Sequence, residues 1–228
     1  EEILNQGYGG IKIYPLQKRT IDQAVICVSK IRQTLGFNIP LMLDLACPND
    51  PNVSLKLAPL VKEFKPYWFE EPVDGEATRT LIEIKNQTGL RIVTGEKQCG
   101  INHFIETLAA DAVDIFNPDI SSVGGIIDMI KIIELSYKKN VKVSPHCWNS
   151  MSIAASAMIH LCMSFPNTEM AEFFPEYIPN TLKFCNKNFE INNGFIELNN
   201  REGLGVKIDT NLLMENTSSY KFSILDKN

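Results

Sequence analysis

Hydrophobic positions cluster in short runs, each ending on a polar residue. These runs occupy residues 11–14, 41–44, 67–70, 91–96, 113–119, 141–146 and 168–174. Each is nearly all apolar rather than alternating, as expected of strands covered on both faces of a parallel sheet. The stretches between them carry apolar residues at helical spacing. Residues 22–35 place Ala24, Ile26, Val28, Ile31 and Leu35 close to one face and stop at Gly36. Residues 54–64, 78–88, 101–110, 126–137 and 152–163 follow the same rule, and Pro59 inside the first of these leaves its start open. Residues 1–6 read as the end of a further helix, closed by Gly7.

Strand and helix thus alternate with a period of about 25 to 30 residues, as βα units do. The strand ends carry Lys12 and Tyr14, Asp44, Glu70, Glu96, Asp119, His146 and Glu172. An open doubly wound sheet would gather its functional residues at one switch point. Polar groups at nearly every strand end favour a closed (β/α)8-type TIM barrel, whose site lies on that rim. The expected fold class is therefore α/β, with residues 1–179 as the barrel domain and the first barrel strand lying before residue 1. After residue 179 the pattern changes. Residues 189–198 read as a hairpin turning at Asn193-Gly194, and residues 180–228 as an appendage beside the barrel.

Composition removes several function classes. Lys+Arg 22 against Asp+Glu 27 gives a net charge of −5 with no basic block, which argues against nucleic acid and anionic membrane as partners. No apolar run reaches transmembrane length. Six scattered cysteines without a C-x-x-C pair suit a reduced, cytoplasmic chain.

Asp44, Glu70 and Glu96 end three consecutive strands, and neighbouring strand ends lie about 5 Å apart. Carboxylates so placed do not all stay ionised without a cation between them. An all-oxygen set suits Mg²⁺. Asp119 and His146 follow on the next two strands; a carboxylate on one imidazole nitrogen orients the other as a base. Lys12 and Tyr14, at i and i+2, point the same way on the far side.

These motifs in order resemble the enolase superfamily, mandelate racemase subgroup. They are Asp44 after an apolar strand, Phe69-Glu70-Glu71-Pro72, Gly95-Glu96, Asn117-Pro118-Asp119 with Val123-Gly124-Gly125, Pro145-His146-Cys147-Trp148, Glu172 before aromatics, and Gly203-Leu204-Gly205-Val206. The resemblance implies a modified (β/α)7β barrel, here its strands 2 to 8. It also implies a homo-oligomer, and a tail (residues 180–228) completing an N-terminal capping domain that this chain does not contain. One Mg²⁺ held by Asp44, Glu70 and Glu96 would bind a substrate carboxylate and stabilise the enediolate left when the α-proton is removed. By the same resemblance His146, oriented by Asp119, serves as base or acid, and Glu172 hydrogen-bonds the substrate carboxylate.

Two departures refine the expectation. Family members often carry Lys-x-Lys where this chain has Lys12-Ile13-Tyr14, and a tyrosine with its ordinary pKa near 10 is a poor base. Asp44-Leu45-Ala46 lacks the asparagine often found two residues after the metal aspartate. One strong base with one acid suits dehydration of an acid sugar (aldonate or aldarate) to a 2-keto-3-deoxy acid. The alternatives are a racemase or epimerase of a 2-hydroxy acid with Tyr14 or Lys12 as second base, and a non-catalytic barrel that binds metal or sugar acid. Without a capping domain the chain alone is expected to turn over poorly. His103 and His160 are expected to be structural or surface residues, Cys47, Cys99 and Cys147 packing residues, Lys97 a solvated loop lysine, and Glu71 either a residue behind the site or one held in a salt bridge.

Overall fold

The structure is a computed structural model describing residues 2–148, 152–175 and 178–216. A short helix α1 (Glu2–Asn5) leads into β1 (Ile11–Ile13), α2 (Ile21–Leu35), β2 (Leu41–Asp44), α3 (Pro51–Val61) and β3 (Trp68–Glu70). Then come α4 (Thr78–Thr88), β4 (Ile92–Thr94), α5 (Asn102–Ala109), β5 (Ile115–Phe116), α6 (Gly125–Lys138), β6 (Lys142–Val143) and α7 (Ser152–Ser164). The strands pair in chain order from β1 to β6, every pair parallel. Consecutive parallel strands joined by helical crossovers curl a twisted sheet towards a barrel, and the run pattern anticipates this architecture. Glu1 and residues 217–228 lie outside the described residues. Among the described residues no helix is long and apolar enough to cross a membrane.

Two expected boundaries shift. The third helix begins at Pro51 rather than at residue 54, because the Asp50 side chain accepts from Asn52 N and proline suits the first helical turn. The seventh strand, expected over 168–174, is a single bridge between Thr168 and Val143. Val143 N donates to Asn167 O, and Glu169 N to Val143 O. The next donor in that ladder would be residue 145, a proline without an N–H. The Ser144 hydroxyl takes the Met170 carbonyl instead.

Alternation along the strands makes two apolar layers. Leu41, Leu43, Phe69, Ile92, Phe116 and Val143 face outward and pack under the helices. Met42, Trp68, Val93 and Ile115 face inward, with Met170, and fill the barrel. Below them Glu169 accepts from Tyr67 Oη and, at 2.9 Å, from Arg91 Nη2, closing the floor across the barrel. Above them the rim is polar.

The hairpin forms as expected, with β7 (Phe189–Asn192) antiparallel to β8 (Phe195–Leu198) and left-handed Asn193 and Gly194 at the turn. It docks against the loop before β1: Gly194 N donates to Gly7 O, and a Cβ on Gly9 would lie 3.0 Å from Gly194 Cα. The Leu204 carbonyl, inside Gly203-Leu204-Gly205-Val206, accepts from Ser156 Oγ and Asn188 Nδ2. That anchors the tail to α7.

Arg32, at the end of α2, is 3% exposed and donates to the carbonyls of Phe64, Gly36, Ile39 and Lys65. It ties the end of α2 to the turn entering β3. Arg32→Leu leaves those carbonyls without their donor and should destabilise the fold by roughly 2–4 kcal/mol, with Arg32→Lys intermediate. Urea unfolding checks this; a wild-type midpoint in the leucine variant would contradict it.

Candidate active site

The polar rim is built by register. Asp44 lies opposite Glu70 in the β2–β3 ladder, so both side chains leave the sheet on the same face. Glu96 follows β4 by two residues. One carboxylate oxygen from each of Asp44, Glu70 and Glu96 can be chosen so that all lie within 4.8 Å of one another. Asp44 and Glu70 are buried, and Glu96 is half-buried.

Each is held from behind. Glu70 accepts from Trp68 Nε1 at 2.8 Å and Asn117 Nδ2 at 3.0 Å. Asp44 accepts from Ala46 N at 2.8 Å. Family members often carry asparagine at the position of Ala46; here the backbone N–H supplies the contact, with Ala46 in the left-handed region. Glu71, fully buried, turns away from Glu70 through a left-handed backbone and accepts from Thr94 Oγ1, Gly95 N and Cys47 Sγ. It links the chain segments at the ends of β2, β3 and β4.

Lys12 reaches into this group. Its Nζ lies 2.6 Å from Glu70, 2.5 Å from Glu172 and 3.5 Å from Asp44. Burial works against the ammonium, but Glu70, Glu172 and Asp44 hold its pKa well above the ordinary value. One ammonium does not balance so many carboxylates. Burial accordingly raises Asp44 and Glu70, and pushes Glu96 up to about 7. Glu96 Oε2 is buried without a hydrogen-bond partner and lies 3.4 Å from His146 Nε2. Clustered oxygen donors, an excess of negative charge and an orphaned acceptor fit a hard divalent cation such as Mg²⁺.

Asp119 and His146 bridge directly beyond β5 and β6, and His146 Nδ1 donates to Asp119 Oδ2 at 2.8 Å. Asp119 also accepts from Ser121 N at 2.8 Å. Burial alone would raise Asp119, but the bonds from His146 and Ser121 bring it below the usual carboxylate range. Burial alone would lower His146; the bond to Asp119, with Glu172 and Glu96, raises it. With Nδ1 carrying the proton, Nε2 of the neutral ring is the basic nitrogen, and it faces the carboxylates. Tyr14, opposite, is half-buried; burial and Asp44 raise its phenol far above 10, so it stays protonated.

The structure thus brings together Asp44, Glu70, Glu96, Lys12, Glu172, Asp119 and His146; Asp44, Glu96, Asp119, His146 and Tyr14 line one cavity of about 980 Å³, and Lys12, Glu70 and Glu172 line a second of about 470 Å³. Lys97 is exposed, as expected, and it also lines the larger cavity and donates to Ala46 O at 3.4 Å. Sequence reasoning missed three supports. Cys47, expected only to pack, donates its thiol to Glu71 at 2.7 Å. Asn117 and Trp68 position Glu70, and for Trp68 the i, i+2 spacing to Glu70 was an available signal. His103 bonds within its own helix, through Thr107, as a structural residue would.

A family model described as "Enolase C-terminal domain-like" matches residues 1–212. The D-galactonate dehydratase of Ralstonia pickettii is 31% identical over 213 residues, 86% of this chain and 53% of the relative. The L-talarate/galactarate dehydratase of Salmonella typhimurium is 27% identical over 199 residues, 87% of this chain and 47% of the relative. The chain spans about half the length of the curated relatives it matches. Among solved structures, an enolase from environmental shotgun sequencing of the Sargasso Sea superposes with a TM-score of 0.90 at 47% identity, covering 94% of this chain and 57% of that one.

The raised carboxylates give a pH signature. Their unfolded pKa values lie near 4. Their stabilising contribution is therefore complete below that pH and is lost as pH rises through the folded values, about 7 for Glu96. The raised His146 acts in the same direction, and the lowered Asp119 acts only at more acid pH. Calorimetric melting of metal-free protein should show stability falling between pH 5 and pH 8, with a Mg²⁺-induced rise in Tm that grows over the same range. A Mg²⁺ effect larger at pH 5 than at pH 8 would contradict this.

Proposed function

The chain belongs to the enolase C-terminal domain-like family, and from that premise we propose that it carries the active site of a Mg²⁺-dependent acid-sugar dehydratase, a hydro-lyase. The observation that carries this reading is the asymmetry of the rim. One basic nitrogen, His146 Nε2, stands on one side, and a protonated phenol, Tyr14, on the other. Racemisation needs competent bases on both faces of the α-carbon, whereas dehydration needs one base and one acid. Lys12, charged among its carboxylates, is no second base. The relatives named as galactonate and talarate/galactarate dehydratases support a sugar acid as substrate.

Asp44, Glu70 and Glu96 would hold the ion, which supplies Lewis-acid polarisation of a carboxylate oxygen when bound. The protein's own groups do the rest. Lys12, positioned by Glu172 and Glu70, offers N–H donors to the same carboxylate. Glu172 is itself fixed by Cys147 N, at 3.0 Å. His146 Nε2 takes the α-proton, and the C–H electron pair passes into the carboxylate to give an enediolate. Asp119 stabilises the imidazolium that forms. The imidazolium then protonates the β-hydroxyl, the C–O bond breaks, and water leaves. The remaining enol tautomerises to a 2-keto-3-deoxy acid, and His146 ends neutral.

A panel of sugar acids with Mg²⁺ and semicarbazide detects the ketone. His146→Asn should abolish the signal, a loss on the order of 10²–10⁴-fold. Asp119→Asn should lower kcat and move the acid limb of kcat/KM to lower pH, because the anionic partner that raises His146 is gone. Ketone formation unchanged in His146→Asn would overturn the assignment. Deuterium uptake at the α-carbon with no ketone from any acid would favour the racemase reading.

A further inference from the structure

The cavity above the rim has a charge pattern that the dehydration chemistry does not use. Its carboxylates are Asp44 and Glu96, assigned above to the ion, and Asp119, engaged by His146 and Ser121. Its lining also carries two permanent cations, Arg19 and Lys97. Neither makes an ion pair among the described residues. Arg19 donates from Nη1 to the carbonyls of Gln17 at 3.2 Å and Tyr14 at 3.5 Å. Lys97 donates to the Ala46 carbonyl at 3.4 Å.

Their placement follows from topology. Lys97 leaves the end of β4, yet its ammonium reaches across β3 to the loop after β2. Arg19 lies in the loop after β1, the other neighbour of β2. The two cations therefore flank the loop that carries Ala46, Cys47 and Asn49, on the wall formed after β1 and β2. His146 lies just beyond β6, at the other end of the sheet order. An acid held at Asp44 and Glu96 with its α-carbon at His146 would share one cavity with that wall.

A terminal alcohol arriving there would offer the Arg19 guanidinium no counter-charge and would leave the Lys97 ammonium only the field of Glu71 and Glu96, with which it forms no ion pair among the described residues. A terminal carboxylate would receive charge-assisted hydrogen bonds from both, and the planar guanidinium fork matches a carboxylate's two oxygens. We propose that this site takes sugar diacids in preference to sugar monoacids, with Lys97 and Arg19 as the receptors of the second carboxylate. The proposal rests on the acid-sugar reading above and narrows it.

Calorimetric titration of the Mg²⁺-loaded protein with galactarate and galactonate, which differ only at the far carbon, tests it. Galactarate should bind about tenfold more tightly or better, as a charge-assisted hydrogen bond warrants. In the double variant Lys97→Gln/Arg19→Gln, checked for an unchanged melting profile, that preference should fall to within about twofold. Equal affinities in the wild type, or a preference that survives in the double variant, would overturn the proposal. So would a 6-phosphoaldonate binding more tightly than galactarate, which would assign the cations to phosphate. The ketone assay run with the same acids separates the two readings. A diacid preference in binding without ketone or α-proton exchange from either acid defeats the dehydratase assignment alone. Ketone from galactonate at least as fast as from galactarate defeats the diacid assignment alone. Absence of binding by either acid defeats both.

Discussion

Several carboxylates taken out of water around one ammonium are the constraint on which the rest of this structure depends. Asp44, Glu70 and Glu172 converge on Lys12, and Glu96 completes the ring beside His146. Burying anions is costly unless each finds donors or a cation. The surroundings answer that cost locally. Trp68 and Asn117 donate to Glu70, Ala46 N to Asp44, and Cys147 N to Glu172. The left-handed backbone at Ala46 and Glu71 belongs to the same arrangement, since both residues serve the loops that carry the acids. What remains uncompensated, the high Glu96 and its orphaned oxygen, is the part a divalent cation would neutralise.

The barrel beneath makes that concentration of charge tolerable. An apolar layer of Met42, Trp68, Val93, Ile115 and Met170 lies directly under the acids, and the Glu169–Tyr67–Arg91 group closes the floor. The helices take the outward faces of the same strands. The apolar residues of β2 to β5 therefore all serve either the helix interface or the barrel axis. Short strands suffice, because beyond each ladder the chain is needed as a loop that presents a side chain.

The rim is chemically one-sided. His146 is fixed in tautomer and direction by Asp119, while Tyr14 is held as a phenol by burial and by Asp44. The same cavity is lined by charges of both signs, Asp44, Glu96 and Asp119 on one hand and Arg19 and Lys97 on the other.

Much of this was legible in the sequence. Near-continuous apolar runs at a regular period identify buried parallel strands, and the polar residue ending each run marks the rim, because a strand's period of two decides which side chains point inward. Asp44, Glu70, Glu96, Asp119 and His146 were readable for that reason. The turn at Asn193-Gly194 was readable from local backbone preference. Long-range partners were not. No local pattern tells that Pro145 would cut the seventh strand to one bridge, that Lys97 would cross β3 to Ala46, that Cys47 would donate to Glu71, or that Arg32 would be buried among carbonyls. The sequence by itself determined which residues stand at the strand ends. Only the tertiary structure decided which of them share a charge, because a side chain's reach and burial depend on strands distant in sequence.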